Sequence, residues 1–244
     1  EAAVVGSDET SVKVKGQKDW MWVWQSQSAS FIAYEQSRGY VSIIKNFPNG
    51  FKSSTLVSDA LSAQLKTPAQ KHQPCVAHML RELKYFIDKH NSQWAMAMKK
   101  LFLWAIELKK EMGPSDYLKS APRDELLKLF NHLLELNPED VDKLEAFHKR
   151  MMRLKFDVFN FLFYAEVPPD NNSSERAIRN VKVKQKISGQ FRSTQGATRF
   201  AVMRSVIDTV IKRGGDPLTT LRFAVGTTAE KRSFLENKSE LKSF

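Results

Sequence analysis

The chain contains a single cysteine, Cys75, among its 244 residues, so no internal disulfide can form and a reducing compartment suits it. No apolar run is long enough to cross a membrane as a helix, and no signal peptide opens the sequence. The histidines and the lone cysteine form no cluster suited to a transition metal. Internal repeats and low-complexity tracts are absent. Acidic residues are few beside basic ones, 27 against 38, leaving a formal net charge of +11 and a pI near 9.6. What is plentiful is core-forming material: 42% hydrophobic and 11% aromatic residues exclude a disordered tail and fill one large domain or two small ones. The chain opens at Glu1 in what reads as mid-strand, the expectation for a fragment or a processed form.

The excess charge predicts a polyanionic partner, with nucleic acid ahead of an anionic membrane surface. It is concentrated. Between Arg176 and Arg213 there are ten basic residues and one acidic residue, Asp208, a local surplus of ten minus one, or +9. A solvated helix face carries such charges too, but a bias this strong favours nucleic-acid contact.

Hydrophobic periodicity divides the chain. In "AAVVGSDETSVKVKG", Val12 and Val14 alternate with Lys13 and Lys15, the period-2 pattern of a strand. "DWMWVWQSQ" and "SFIAYEQ" extend this into a three-stranded meander, with the alternating tryptophans read as core. "YVSIIKNF" predicts a short helix, "SSTLVSDA" a fourth, buried strand and "HQPCVA" a fifth. From about Val76 to Ala165 the spacing is helical, with Asn137 and Pro138 expected as N-cap and first residue of a helix running through "EDVDKLEAFHKRMMRLKFDVFNFLFYA". The leucine and phenylalanine stripes of this block predict a small core of its own. A further helix through "GATRFAVMRSVIDTVIKRGG" should bury Phe200, Met203, Val206, Ile207 and Val210, and "DPLTTLRFA" should start another. The fold class expected is α/β: a mixed sheet flanked by helices and interrupted by an all-helical insertion. The parts are 1–84 and 167–222 for the core, 85–166 for the insertion and 223–244 for a C-terminal tail.

Three carboxylates stand out. Asp8 shares strand parity with Val4, Val12 and Val14, where an unpaired charge is costly, unless a bulge near Gly6 resets the alternation. Asp59 ends the strand "TLVSD", where ligand sites of α/β sheets gather, although it could equally cap the next helix. Glu175 opens the basic run; "NSSE" also fits a capping box with Asn172 as cap, and Arg179 four residues on could pair with it. Asp170 competes for the same role. Close carboxylates repel unless a divalent cation lies between them, and an all-oxygen set favours magnesium or manganese.

"SDETSVKVKG", "LVSD", "CVAHMLRELKYF", "PPDNNSSERAIRNVKVKQKISGQFRSTQGA" and "SVIDTVIKRGGDPLTTL" resemble, in this order and over roughly residues 1–222, the insertion-sequence-66 family of bacterial transposases. The resemblance implies a ribonuclease-H-like fold with an Asp–Asp–Glu triad at Asp8, Asp59 and Glu175, holding Mg2+ or Mn2+, two ions in all. It implies cleavage of double-stranded DNA at transposon ends and joining to a target, by a homo-oligomer in the bacterial cytoplasm, associated with the nucleoid. Arg176, Arg179, Lys182, Lys184 and Arg192 would meet phosphates. In "CVAHMLR", Cys75 and His78 look like half a zinc site without a second pair; Cys75 is expected in the core, with His78 or Arg81 supporting the site. Where the family has glycine and an aromatic after the second aspartate, this chain has Ala60 and Leu61. The residues alone leave two other readings open: a non-catalytic basic DNA-binding protein, and a ribonuclease-H-like nuclease without joining activity.

Overall fold

The computed structural model describes residues 2–141 and 143–226. Of the expected tail, 223–244, the first three residues belong to a helix that ends at Val225, and 227–244 lie outside the described residues. Strands β1 (Val4–Val14), β2 (Gln17–Gln25) and β3 (Ser30–Glu35) form an antiparallel meander; helix α1 (Tyr40–Asn46) leads to β4 (Phe51–Ser58), and the short α2 (Ser62–Leu65) to β5 (Ala69–Pro74). β4 lies parallel to β1 and to β5, giving one mixed sheet in the order β3-β2-β1-β4-β5. This is the ribonuclease-H-like arrangement.

The alternation in β1 and β2 makes the sheet buried on both faces. Met21 and Val23 join Val12, Val14 and Ile32 under helices α7 (Asn172–Ser188) and α8 (Thr194–Lys212). Trp22 and Trp24, facing the other way, stack at 5.6 Å and pack with Ile43, Phe51 and Leu56 beneath α1 and α2. The tryptophan run is therefore core, as its spacing predicts.

Both sheet edges are closed by polar groups rather than left open for pairing. On β3, Ser205 and Thr209 of α8 accept the N–H groups of Ile32 and Ser30 and donate to their carbonyls. On β5, Asn160 donates to the His72 carbonyl and Gln73 accepts from the Phe161 N–H.

Between β5 and α7 the described residues are helical: α3 (Val76–His90), α4 (Gln93–Glu111), α5 (Ala121–Glu135) and α6 (Leu144–Leu154), with two single 3-10 turns. They share a core that includes Phe86, Phe102, Phe130, Phe147 and Phe159. The helix expected from Asn137 and Pro138 begins instead at Leu144 and stops at Leu154. Glu139 explains the late start: its carboxylate accepts from the Ser92 hydroxyl and from the N–H groups of Gln93 and Trp94, so this segment caps α4.

The last helices depart from expectation in burial. α8 buries Ala197 and Ala201, whereas Met203 and Val206 are 52% and 36% exposed. The helix turns its hydroxyls, not its larger apolar side chains, toward the β3 edge. α9 (Pro217–Val225) begins at "DPLTTLRFA" as expected, capped by Asp216.

Candidate metal centre

Asp8 sits in the middle of β1 opposite Val23 of β2, and the β1–β2 register runs unbroken from Gly6 to Val14. No bulge resets the parity, so Asp8 faces the α7 side. β1 pairs with β4 only over Val4–Gly6, against Thr55–Val57. Beyond that the two strands part, and Asp59, one residue past β4, lies beside Asp8 in the opening. The Asp8 carboxylate also accepts the N–H of Glu9 at 2.8 Å.

Among the described residues, one group of three potential ligands has all its ligand atoms within 4.8 Å of one another: Asp8, Glu9 and Asp59. Burial, with the charges of Glu9, Asp59 and Glu175 adding to it, pushes the Asp8 carboxyl up to about 7 against the opposing effect of the Glu9 N–H. Burial also raises Glu9, with Asp59 adding to the effect and Arg38 opposing it. Arg38 holds the Glu9 carboxylate at 2.6 Å, and the buried Gln64 amide donates to it and to Ser7. The centre thus concentrates negative charge that Arg38 balances only in part. An all-oxygen donor set of this kind fits a hard divalent cation.

Glu175 lies on the first turn of α7, near enough for its charge to act on Asp8, but outside the group of three. Its Oε1 receives Arg81 Nη2 of α3 at 3.2 Å, and His78 Nε2 stands 3.9 Å away. The expected capping box is not formed: Asn171 occupies the N-cap position, and Asp170 accepts the Asn172 N–H at 3.0 Å. Nor does Glu175 pair with Arg179, because Arg81 has taken its place. Asp170 lies beside Arg176, Lys212 and Glu166 in a separate cleft. Cys75 is buried at the N-cap of α3, where its sulfur accepts the Asn171 N–H and burial pushes the thiol up.

Sequence reading missed three residues that build this site. Glu9 and Asn171 sit inside motifs already singled out, "SDET" and "DNNSSER"; Gln64 carries no sequence signal. Asn171 is 1% exposed and ties three elements together, donating through Nδ2 to the Ser7 carbonyl at 2.7 Å and through its N–H to Cys75. α7 can approach β1 here because of Gly6: a Cβ at that position would lie 2.4 Å from Ser174 Oγ.

Ala60 occupies the left-handed region, with φ +64°. This is the position at which glycine is at ease, and L-residues there lose on the order of 1–2 kcal/mol. Ala60→Gly is expected to stabilise the protein by about 1 kcal/mol, net of the greater freedom glycine has in the unfolded chain. A denaturant midpoint unchanged or lowered in the variant would contradict this.

A mixed sheet in this order, with carboxylates gathered where its central parallel strands part, defines a ribonuclease-H-like protein with a candidate metal centre. The family model described as Transposase IS66 family matches residues 1–199, and the chain belongs to this family. No curated protein matches it at a significant level. The family assigns the protein a transposase role and DNA as partner. No helix among the described residues is long and apolar enough to cross a membrane.

Proposed function

We propose that the chain is the catalytic core of a DNA transposase that cuts transposon ends and joins them to target DNA in a reaction dependent on divalent metal. The observation that carries this reading is the convergence of Asp8 and Asp59, remote in sequence, with the charge of Glu175 felt at Asp8. Asp8 and Asp59 would hold magnesium or manganese, two ions in the full set, with Glu175 as the third ligand. When bound, such ions lower the pKa of an attacking hydroxyl and offset charge on the leaving oxygen. Glu9, clamped by Arg38 and Gln64, keeps the floor of the centre negative. Arg81 and His78 stand beside Glu175, where Arg81 offers a cation to a phosphate once Glu175 is engaged elsewhere. Exposed cations of α7 and the loop after it, Arg179, Lys182 and Arg192 among them, attract the backbone whatever its sequence. Transposition acts on paired ends, so the working form is a homo-oligomer, and its place is with the nucleoid.

The test is a joining assay with a labelled pre-cut duplex bearing a free 3′-hydroxyl and supercoiled plasmid as target. Label linked to plasmid is expected with Mg2+ or Mn2+ and none with EDTA. Nicks without joined product would reduce the protein to a nuclease, and no metal-dependent product at all would refute the catalytic reading.

A further inference from the structure

The cation that answers the acidic centre comes from outside it. Arg38 lies in the loop between β3 and α1, 29 positions from the glutamate it holds. Its Nε donates to Glu9 Oε1 at 2.8 Å, and its Nη2 stands 2.6 Å from the same oxygen. The two ends of this pair are unlike: the Glu9 side chain is 1% exposed and that of Arg38 47%. The pairs Lys84–Asp88, Lys110–Glu107 and Lys149–Glu145 are more than half exposed at both ends, where screening leaves little net effect. A carboxylate shut away from water lacks that screening and depends on its partner.

The reach of Arg38 is built into the fold. From the edge of the sheet its guanidinium crosses β2 to β1, lying over the Trp20 ring at 5.0 Å on the way. The loop is pinned beside it: the Ser37 carbonyl accepts the Trp22 indole N–H at 3.1 Å and the Ser42 hydroxyl at 2.7 Å, and Ser37 Oγ accepts the Gly39 N–H. Behind Glu9, its Oε2 accepts the Gln64 amide, while Gln64 Oε1 shares the Leu61 N–H with Asp59 Oδ1. Glu9 is thus tied to Arg38 on one side and to the loop that carries Asp59 on the other. Among the described residues, Arg38 is the only basic side chain in ion-pair contact with Asp8, Glu9 or Asp59.

We infer that Arg38 is a positioning residue that sets how tightly the centre holds its divalent cation, acting through Glu9. The inference rests on the metal-dependent transposase reading and specifies how that site is regulated. The three carboxylates have ligand atoms within 4.8 Å of one another, so each attracts a cation and repels the other two. Arg38 offsets one of these charges. In the metal-free protein this relieves repulsion; once a cation arrives, the same guanidinium weakens its hold. The two effects of Arg38 have opposite signs, on stability without metal and on affinity for metal. A residue that merely held the loop in place would not produce that combination.

The test is a Mn2+ titration of the parent, Arg38→Gln, Glu9→Gln and the double variant, with free ion counted by its EPR signal, alongside thermal unfolding in EDTA. The site followed is the one that Asp8→Asn removes. Arg38→Gln keeps a donor for Glu9; it is expected to bind Mn2+ about ten-fold more tightly than the parent and to unfold roughly 5 °C lower in EDTA. Glu9→Gln should bind about ten-fold more weakly, and adding Arg38→Gln to it should change affinity less than about three-fold, because the charge through which Arg38 acts is gone. Mn2+ affinity in Arg38→Gln equal to or below the parent's, affinity in Glu9→Gln equal to the parent's, or a gain from Arg38→Gln that persists in full in the Glu9→Gln background would overturn the role. A parent protein with no Mn2+ site sensitive to Asp8→Asn would take the metal-dependent reading down as well, whereas a sound parent site indifferent to Arg38→Gln sinks this inference alone.

Discussion

Replacing Asp8 by asparagine is expected to lower metal-dependent strand cleavage on the order of a thousand-fold while leaving DNA affinity in EDTA nearly unchanged. The substitution keeps the shape of the side chain and its acceptor for the Glu9 N–H. It removes the charge that, with Glu9 and Asp59, makes the centre attractive to a cation. A thousand-fold loss corresponds to about 4 kcal/mol of barrier, a reasonable share for one ligand of a metal-assisted phosphoryl transfer. The cations of α7 lie on a different element and should bind DNA as before. Cleavage within about tenfold of the parent would remove Asp8 from the mechanism, and a parallel loss of DNA binding would show that the change had acted through folding.

The second large effect belongs to a residue with no chemistry of its own. Gly6→Ala would place a methyl 2.4 Å from Ser174 Oγ and 3.0 Å from Asn171 Oδ1, both on or next to the first turn of α7. Ser174 is fully buried and Asn171 nearly so, so neither can swing into solvent. The relief open to the molecule is to lift the start of α7 from β1, and Glu175 is the next residue along. A shift near 1 Å in a catalytic group costs about a hundred-fold in rate, and cleavage should fall by that order in Gly6→Ala. Ser174→Gly in the same chain removes the nearest clash and should restore part of the loss, a coupling visible in a double-mutant cycle. If Gly6→Ala retains parental cleavage, or if Ser174→Gly does nothing to rescue it, the close approach of α7 to β1 is not what positions Glu175.

Much of this arrangement was legible in the residues. The alternation of Val12 and Val14 with Lys13 and Lys15 identifies β1 and assigns Asp8 to the α7 face, and the uninterrupted register bears that parity out. The apolar run before Asp59 places it at the end of a buried strand. Glu9 was not legible, because neighbouring strand residues normally point to opposite faces. Here the Asp8 side chain folds back along its own strand to the Glu9 N–H, and the longer glutamate arm reaches the same opening. The partner of Glu175 was also hidden: local spacing offers Arg179, but the fold brings Arg81 of α3, 94 positions away, to its carboxylate. Asn137 and Pro138 carry good helix-start chemistry that tertiary structure overrides, since Glu139 is spent on the amides of α4. On α8, an apolar stripe does not say what covers it, and the β3 edge is satisfied by Ser205 and Thr209 instead.

The central claim is that Asp8 and Asp59, together with Glu175, form a divalent-cation site at the parting of β1 and β4. Anomalous diffraction from crystals soaked in manganese addresses it most directly. A manganese peak bounded by carboxylate oxygens of Asp8 and Asp59 at about 2.0–2.2 Å, with Glu175 turned from Arg81 toward it, is the result predicted. Saturating manganese that leaves no peak between these two aspartates, or that binds only elsewhere on the chain, would contradict it.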